Sequence, residues 1–350
     1  MKDIAVTDFQ SEKAVVRAFH DALDGAPAEG VAEVLSAHCA PDYRWRAYYP
    51  WEEEHGPEAV ANSFWEPLKR SMTGLVHRPD IFFAGRNEID GFRSTWVVSM
   101  GHLMGLFDRP WLGIRPTGKI FMLRYAEFNR VENGRIAETA LYFDIPHLMQ
   151  QAGQNPFPPQ TGAALVQPGP ATHDGLLYGP QPPEEGEATL AAINAMITDI
   201  KVWTGGVEEP LVEELRRTWH EDMLWWGPAG IGATYTIPRY AEQHSGPFRA
   251  AFDRKFNGHV ARLAEGHYGG FFGWPNLRLK HKGGFMGMPA GDPDRWCDMR
   301  VIDIYRRRGD KLAENWIFID LLHFWKQQGV DILARATGIE AGLPTADIAR

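Results

Sequence analysis

Apolar residues recur at helical spacing in "SEKAVVRAFHDAL" and again in "EATLAAINAMITDIKVW". Each half of the chain therefore opens with a predicted helix. Shorter helical patterns follow in both halves: "GVAEVLSAHC" against "EEPLVEELRRTWH", then "EAVANSFWEPLKRSM" against "YAEQHSGPFRAAFDRKF". After them the period changes from helical to alternating. "RPDIFFAGRNEIDGFRSTWVVSMGHLMGLF" alternates and turns at Gly85 and Gly91, and "KIFMLRYAEFNRV", "ENG" and "RIAETALYFD" predict a hairpin. Helices first and strands after predicts an α+β unit, with helices on one face of a curved antiparallel sheet.

That order occurs twice. "RYAEFNRVENGRIAETALYFDIPHLMQQAG", starting at Arg124, returns without a gap at Arg300 as "RVIDIYRRRGDKLAENWIFIDLLHFWKQQG". Arg124 maps onto Arg300, Arg130 onto Arg306, Glu138 onto Glu314, Asp144 onto Asp320, His147 onto His323, Gln151 onto Gln327 and Gly153 onto Gly329. The chain reads as an internal duplication. Residues 154–186 are rich in Pro and Gly and break both periodicities, which marks a linker. The expected organisation is a first domain over 1–153, this linker, a second domain over 187–335 and a tail over 336–350.

Composition narrows the function. The 350 residues are 44% hydrophobic and 23% charged, an ordinary globular balance, with a net charge of −9. Phosphate contacts need clustered Lys and Arg, so this net charge argues against nucleic acid and anionic membrane surfaces as partners. Two cysteines, Cys39 and Cys297, build neither a disulfide framework nor a thiolate metal site. The N-terminus lacks a signal-peptide pattern and no apolar run reaches membrane-span length, so the expected location is the cytoplasm. Thirteen tryptophans, many beside polar residues, suit either core packing or the aromatic wall of a small-molecule pocket. "GIRPTGKI" imitates a phosphate loop, but Ile120 stands where the Mg²⁺-binding hydroxyl belongs and a strand pattern follows. "GPAGIGATY" lacks the preceding strand of a dinucleotide site. No His or Cys pair has zinc-ligand spacing, so neither cofactor nor metal is expected.

The run from Met100 to Gly153 resembles the SnoaL-like polyketide (ester) cyclases of the NTF2-like superfamily. The matching positions are His102, Gly105, Pro116, Thr117, Gly118, Lys119, Arg124, Gly134, Ile136, Glu138, Asp144, Gln151 and Gly153. The second half is similar at His281, Gly284, Arg300, Glu314, Asp320, Gln327 and Gly329, with "PAGDPD" replacing Pro-Thr-Gly-Lys. The resemblance implies two tandem cones, each a strongly bent sheet around a deep pocket closed by N-terminal helices. It also implies that such cones pair through the outer faces of their sheets. Members include cofactor-free aldol cyclases, and relatives are isomerases, dehydratases, hydrolases or non-catalytic binders.

Asp144 and Asp320 each end an apolar strand and precede a helical pattern. A carboxylate there either caps the helix or, desolvated, gains a raised pKa suited to acid–base work. The resemblance favours acid–base work. His102 and His281 are candidates to share proton transfer or to hold an oxyanion. Trp226, Tyr235, His220, Arg300 and Asn315 in the second half, and Trp45, Tyr48 and Arg124 in the first, are candidate substrate contacts. Arg124 and Arg300 are also candidates for structural pairing with Glu127 or Glu138, and with Asp303 or Glu314. The second half is richer in polar groups near aromatics, His244 and His259 among them, and is the favoured catalytic half.

The expected function is that of a cofactor-independent lyase, isomerase or cyclase acting on an apolar oxygenated, polyketide-like or aromatic carbonyl molecule. Alternatives are a non-catalytic binding or scaffold protein, and a hydrolase using Asp-activated water. The two halves are expected to form an intramolecular pseudo-dimer, with which a further homodimer is compatible.

Overall fold

The structure, a computed structural model, describes residues 8–202 and 209–338. The end of the expected tail, 339–350, lies outside the described residues, as does the start of the N-terminal segment. In the first half, α1 (Gln10–Gly25) and α2 (Val31–His38) lead into β1 (Cys39–Ala47) and β2 (Glu52–His55). Short helices α3 (Pro57–Val60) and α4 (Glu66–Ser71) flank a single π-helical stretch, Ala61–Trp65. Long strands β3 (Met72–Arg86), β4 (Thr95–Phe107), β5 (Ile120–Glu132) and β6 (Arg135–Phe143) follow, then α5 (Ile145–Gln151). The face of α1 carrying Val16, Phe19, His20 and Leu23 is buried, as its helical spacing demands.

The second half repeats this order. It comprises α6 (Pro183–Val202), α7 (Leu211–Arg216), β7 (Trp219–Trp226), β8 (Ala233–Tyr235), α8 (Ile237–Tyr240) and α9 (Gly246–Ala251). A second π-helical stretch, Ala241–Ser245, sits between α8 and α9. The remaining strands are β9 (Phe252–Phe256), β10 (Ala261–Glu265), β11 (Tyr268–His281), β12 (Cys297–Arg308) and β13 (Lys311–Ile319), and α10 (Leu321–Gln327) and α11 (Ile332–Gly338) end the described chain. Helix α6 starts inside the stretch expected to be linker.

The fold is α+β, with two sheets ordered β2-β1-β6-β5-β4-β3 and β10-β11-β12-β13-β7-β8. The sheets are mixed rather than wholly antiparallel. β1 runs parallel to β6, and β7 runs parallel to β13. The reason is topological: β1 and β7 enter from helices rather than hairpins and add to the far edge of the last hairpin.

Strand alternation gives each sheet two apolar faces. Residues facing the helices join the main core, which includes Trp45, Phe64 and Tyr125 in one half and Trp225, Met299 and Val301 in the other. The opposite faces meet each other. Ile81, Val98, Met100, Phe128 and Tyr142 form one buried cluster with Leu263, Phe272, Ile302, Trp316 and Phe318. Lys13 and Glu265 make a buried ion pair between the halves at 2.6 Å, and the Tyr142 hydroxyl donates to the Gly273 carbonyl at 3.1 Å. The connecting segment lies against both halves. Phe82 N–H donates to the Gly175 carbonyl at 2.8 Å, and Trp316 Nε1 donates to the Pro168 carbonyl at 3.0 Å.

Candidate functional site

The second half holds a partly open cavity of about 150 Å³ between α6 and the inner face of its sheet. Its walls are apolar and aromatic: Met196, Ile197 and Ile200 from α6, Trp219 and Trp225 from β7, and Phe271, Met299, Val301 and Ile317 from the longer strands. Polar groups converge on it from His244, His259, Asn276, Asp303, Tyr305 and Asn315.

The β12–β13 register places these groups. Asp303 stands opposite Ile317 and Tyr305 opposite Asn315, so residues two apart share the inner face. Asn315 Nδ2 donates to Asp303 Oδ1 at 3.0 Å. Burial pushes the Asp303 carboxyl up to about 7, against the smaller opposing pull of Asn315, Tyr305 and the Arg124 charge. His244 stacks on Trp225 at 4.0 Å, and burial drives its pKa down to about 3. His259 stacks on Phe271 at 3.9 Å and is likewise driven to about 3, first by burial and then by Arg262 and Lys201. Both imidazoles are therefore neutral at neutral pH. Among the polar atoms of the cavity residues, His244 Nδ1 and Asn276 Nδ2 find no partner among the described residues.

The corresponding interior of the first half is built differently. Glu127 takes the place of Asp303 on the repeated strand, but His20 of α1 reaches in and pairs with it. His20 stacks on His77 at 4.3 Å, and His77 Nδ1 bonds Asp24 Oδ1 at 2.6 Å. Burial opposes charge on His20, yet Glu127 outweighs it and holds the imidazole above its ordinary pKa. Burial also opposes the Glu127 carboxylate, and His20 in turn holds it below its usual range. His77 is lowered, first by burial and then by the His20 charge. The second half has no such chain: Asp303 faces Asn315, and the edge-strand position of His77 is occupied by Phe256.

Of the residues singled out from sequence, Asn315, His244 and His259 line the cavity, as does Asp303, a candidate partner of Arg300. The two repeated aspartates lie elsewhere. Asp144 Oδ1 accepts the His147 N–H at 3.1 Å, capping α5, and Oδ2 accepts the Ala229 N–H of the other half at 3.0 Å. Asp320 does the same in reverse, accepting His323 N–H at 3.1 Å and Tyr49 N–H at 3.1 Å. Ala229 and Tyr49 each lie four residues beyond the strand tryptophans Trp225 and Trp45, so the contact is reciprocal. Burial pushes Asp320 up to about 7, opposed by Arg300 and its two backbone donors.

The arginines follow the aspartates. Arg124 Nη1 lies 3.9 Å from Asp144, its Nη2 donates to the Trp226 carbonyl at 3.0 Å, and its guanidinium covers Phe318 at 3.9 Å. Arg300 covers Trp274 at 3.9 Å and lies 3.2 Å from Glu52 and 3.7 Å from Asp320. Pairing with Glu127 or Glu138, and with Asp303 or Glu314, is thus replaced by contacts at the seam between the halves. Glu138 and Glu314 instead meet Arg130 and Arg306.

His102 and His281 are not equivalent. His102 pairs across the sheet with Arg124, and its Nδ1 is 3.4 Å from Asp80. His281 ends β11, donates from Nδ1 to the Gly283 carbonyl at 3.0 Å and packs among Phe252, Phe324 and Trp325. An irregularity between Gly273 and Leu277 shifts the register of β11 against β12 just ahead of His281. Trp226 and Tyr48 belong to the buried cluster between the sheets, while Trp45 packs on Phe64 at 5.1 Å in the first core. Tyr235 is 56% exposed, and His220 Nε2 contacts the Arg308 carbonyl at 2.6 Å at the sheet margin.

Residues 16–139 match the SnoaL-like domain family. No curated protein matches the chain. Similar solved structures include a candidate SnoaL-like polyketide cyclase from Jannaschia sp. CCS1, at 19% identity and a TM-score of 0.34, covering 45% of this chain and 98% of that one. TsrD from Streptomyces laurentii is 21% identical with a TM-score of 0.34, covering 42% and 98% respectively. An NTF2-like protein from Burkholderia thailandensis E264 is 21% identical with a TM-score of 0.30, covering 41% and 96%. The match to the SnoaL-like domain family thus lies in the first half, and the same strand frame is built again in the second.

Proposed function

We propose that the chain is a cofactor-independent acid–base enzyme, a lyase, isomerase or cyclase, whose chemistry runs in the second-half cavity on an apolar oxygenated small molecule. One observation carries this reading: the Asp303 carboxyl lies in a largely apolar cavity, with a pKa raised to about 7. A group titrating near working pH is present in both forms, which is what a general acid–base needs. Asp320 is raised as well, but both its oxygens are taken by backbone N–H groups at the seam, so we assign Asp144 and Asp320 to joining the halves.

In this mechanism ionised Asp303 takes the proton from a carbon beside the substrate carbonyl. The C–H electron pair moves into the enolate, whose oxygen receives the Asn276 Nδ2–H donor. Protonated Asp303 then returns its proton to a second carbon or to a departing oxygen. Asn315 orients the carboxyl, and the aromatic walls exclude water, which strengthens each of these interactions. The test is hydrogen–deuterium exchange at the α-carbon of cyclohexanone and related simple enolisable ketones, followed by NMR with wild type and Asp303→Asn. Catalysed exchange lost in the variant supports the reading, and equal exchange by both proteins refutes it.

We further propose that the first half serves as a structural partner, making the chain an intramolecular pseudo-dimer. The His20–Glu127 pair occupying its interior, the reciprocal Asp144 and Asp320 contacts and the apolar cluster between the sheets support this. The buried free thiols of Cys39 and Cys297 suit a reducing compartment.

A further inference from the structure

The size of the second-half cavity bears on what it can accept. A cavity of about 150 Å³ has room for about one benzene ring, whereas drug-sized ligands occupy pockets of roughly 300–1,000 Å³. The cavity beside Asp303 measures about 150 Å³. Its boundaries are firm on two sides. Val301, Ile317 and Phe271 project from paired strands in the middle of a sheet, so none can retreat without breaking ladder hydrogen bonds. Trp225 is pinned by its stack on His244 at 4.0 Å.

The free polar atoms add a chemical requirement. Asn276 Oδ1 is committed to the Val301 N–H at 2.7 Å, so its unpartnered Nδ2 presents a donor to the cavity. A donor fixed in this way asks for an oxygen acceptor on the ligand. His244 Nδ1 is also unpartnered and belongs to a neutral ring, so it offers a second polar contact without a charge. A buried donor left without a partner penalises a pure hydrocarbon.

From these two constraints we propose that the substrate is a single-ring, uncharged carbonyl or enol compound with an oxygen at the ring, and that two- and three-ring molecules are excluded. The specificity-determining residues are Asn276, which reads the ring oxygen, and Ile317, which limits the ring number. The proposal rests on the second-half cavity being the working site, and it extends that reading from a reaction class to a substrate class.

The experiment is calorimetric titration of the full chain with cyclohexanone, phenol, 2-tetralone and anthrone, in wild type, Ile317→Ala, Asn276→Ala and Asp303→Asn. Wild type is expected to bind the two one-ring probes saturably and to give no saturable heat with anthrone. Ile317→Ala enlarges the cavity and is expected to admit 2-tetralone. Asn276→Ala is expected to weaken the one-ring probes about tenfold through loss of one hydrogen bond. Anthrone binding wild type as well as phenol overturns the proposal, as does failure of both one-ring probes to bind. An Ile317→Ala protein that still excludes 2-tetralone overturns the role of Ile317. Asp303→Asn separates this inference from the catalytic one. If it binds cyclohexanone and exchanges its α-protons like wild type, the acid–base reading fails while the size limit stands.

Discussion

The two halves hang the same strand order on different interiors. Glu127 and Asp303 occupy matching positions on β5 and β12, yet one is an ion-paired carboxylate and the other a carboxyl near its titration midpoint at neutral pH. The difference comes from the helix packed opposite. In α1, His20 supplies a counter-charge that makes the Glu127 anion stable in a buried site. In α6, Met196, Ile197 and Ile200 supply only apolar surface, so the energy of desolvation falls on Asp303 and raises its pKa. A filled interior stabilises its fold, and an open one with an unpaired acid keeps a reactive group at some expense in stability. Duplication lets one half carry each.

The comparison breaks most sharply at the two carboxylates. Asp303→Asn should lower turnover by about 10²–10⁴-fold, the usual contribution of a general acid–base, while Glu127→Gln should leave kcat in place once the protein is folded. Steady-state kinetics of the purified variants check both.

The stability order should be the reverse. Glu127→Gln removes the partner of a buried cation and should cost about 3–5 kcal/mol in denaturant unfolding. His20→Ala should be similarly disruptive, by stranding the carboxylate.

The pH dependence sharpens the contrast. Asp303 keeps its proton in the folded state up to about 7, whereas in the unfolded chain it ionises at its ordinary value of 3.8. The folded state therefore binds more protons across that window, and stability falls as pH rises through it. The Asp303 contribution to the fall is on the order of 4 kcal/mol. Unfolding free energies measured from pH 4 to 8 should show this slope in wild type and a smaller one in Asp303→Asn.

The smallest effect concerns the seam. Asp144→Asn and Asp320→Asn each weaken a helix cap and a bond between halves, and should cost about 1–3 kcal/mol with little change in turnover. Turnover lost in either variant would contradict the assignment of these residues to the seam.

The helix-then-strand order of each half was readable from periodicity, because the apolar spacing that makes α1 and the β5–β6 hairpin is local. The gapless repeat from Arg124 to Gly153 was also readable. In the structure Arg124, Asp144, Arg300 and Asp320 each make contacts where the two halves meet. Strand parity held an unused clue. Arg124 and Glu127 are three apart on one strand and so face opposite sides, which rules out their pairing and puts Glu127 inside. The same parity places Asp303 inside with Tyr305. What no local pattern could supply was the helix facing each carboxyl. His20 and Ile200 reach these sites through tertiary packing, and that contact alone decides which half holds a charged pair and which an open cavity.

The account turns on the protonation of one carboxyl. A ¹³C NMR pH titration of aspartate side chains, with the Asp303 resonance assigned by its loss in Asp303→Asn, measures it directly. The expected midpoint is about 7, well above the ordinary carboxylate range. A midpoint near the ordinary value of about 3.9 would mean that Asp303 is simply ionised in its cavity, and would contradict its role as the acid–base group.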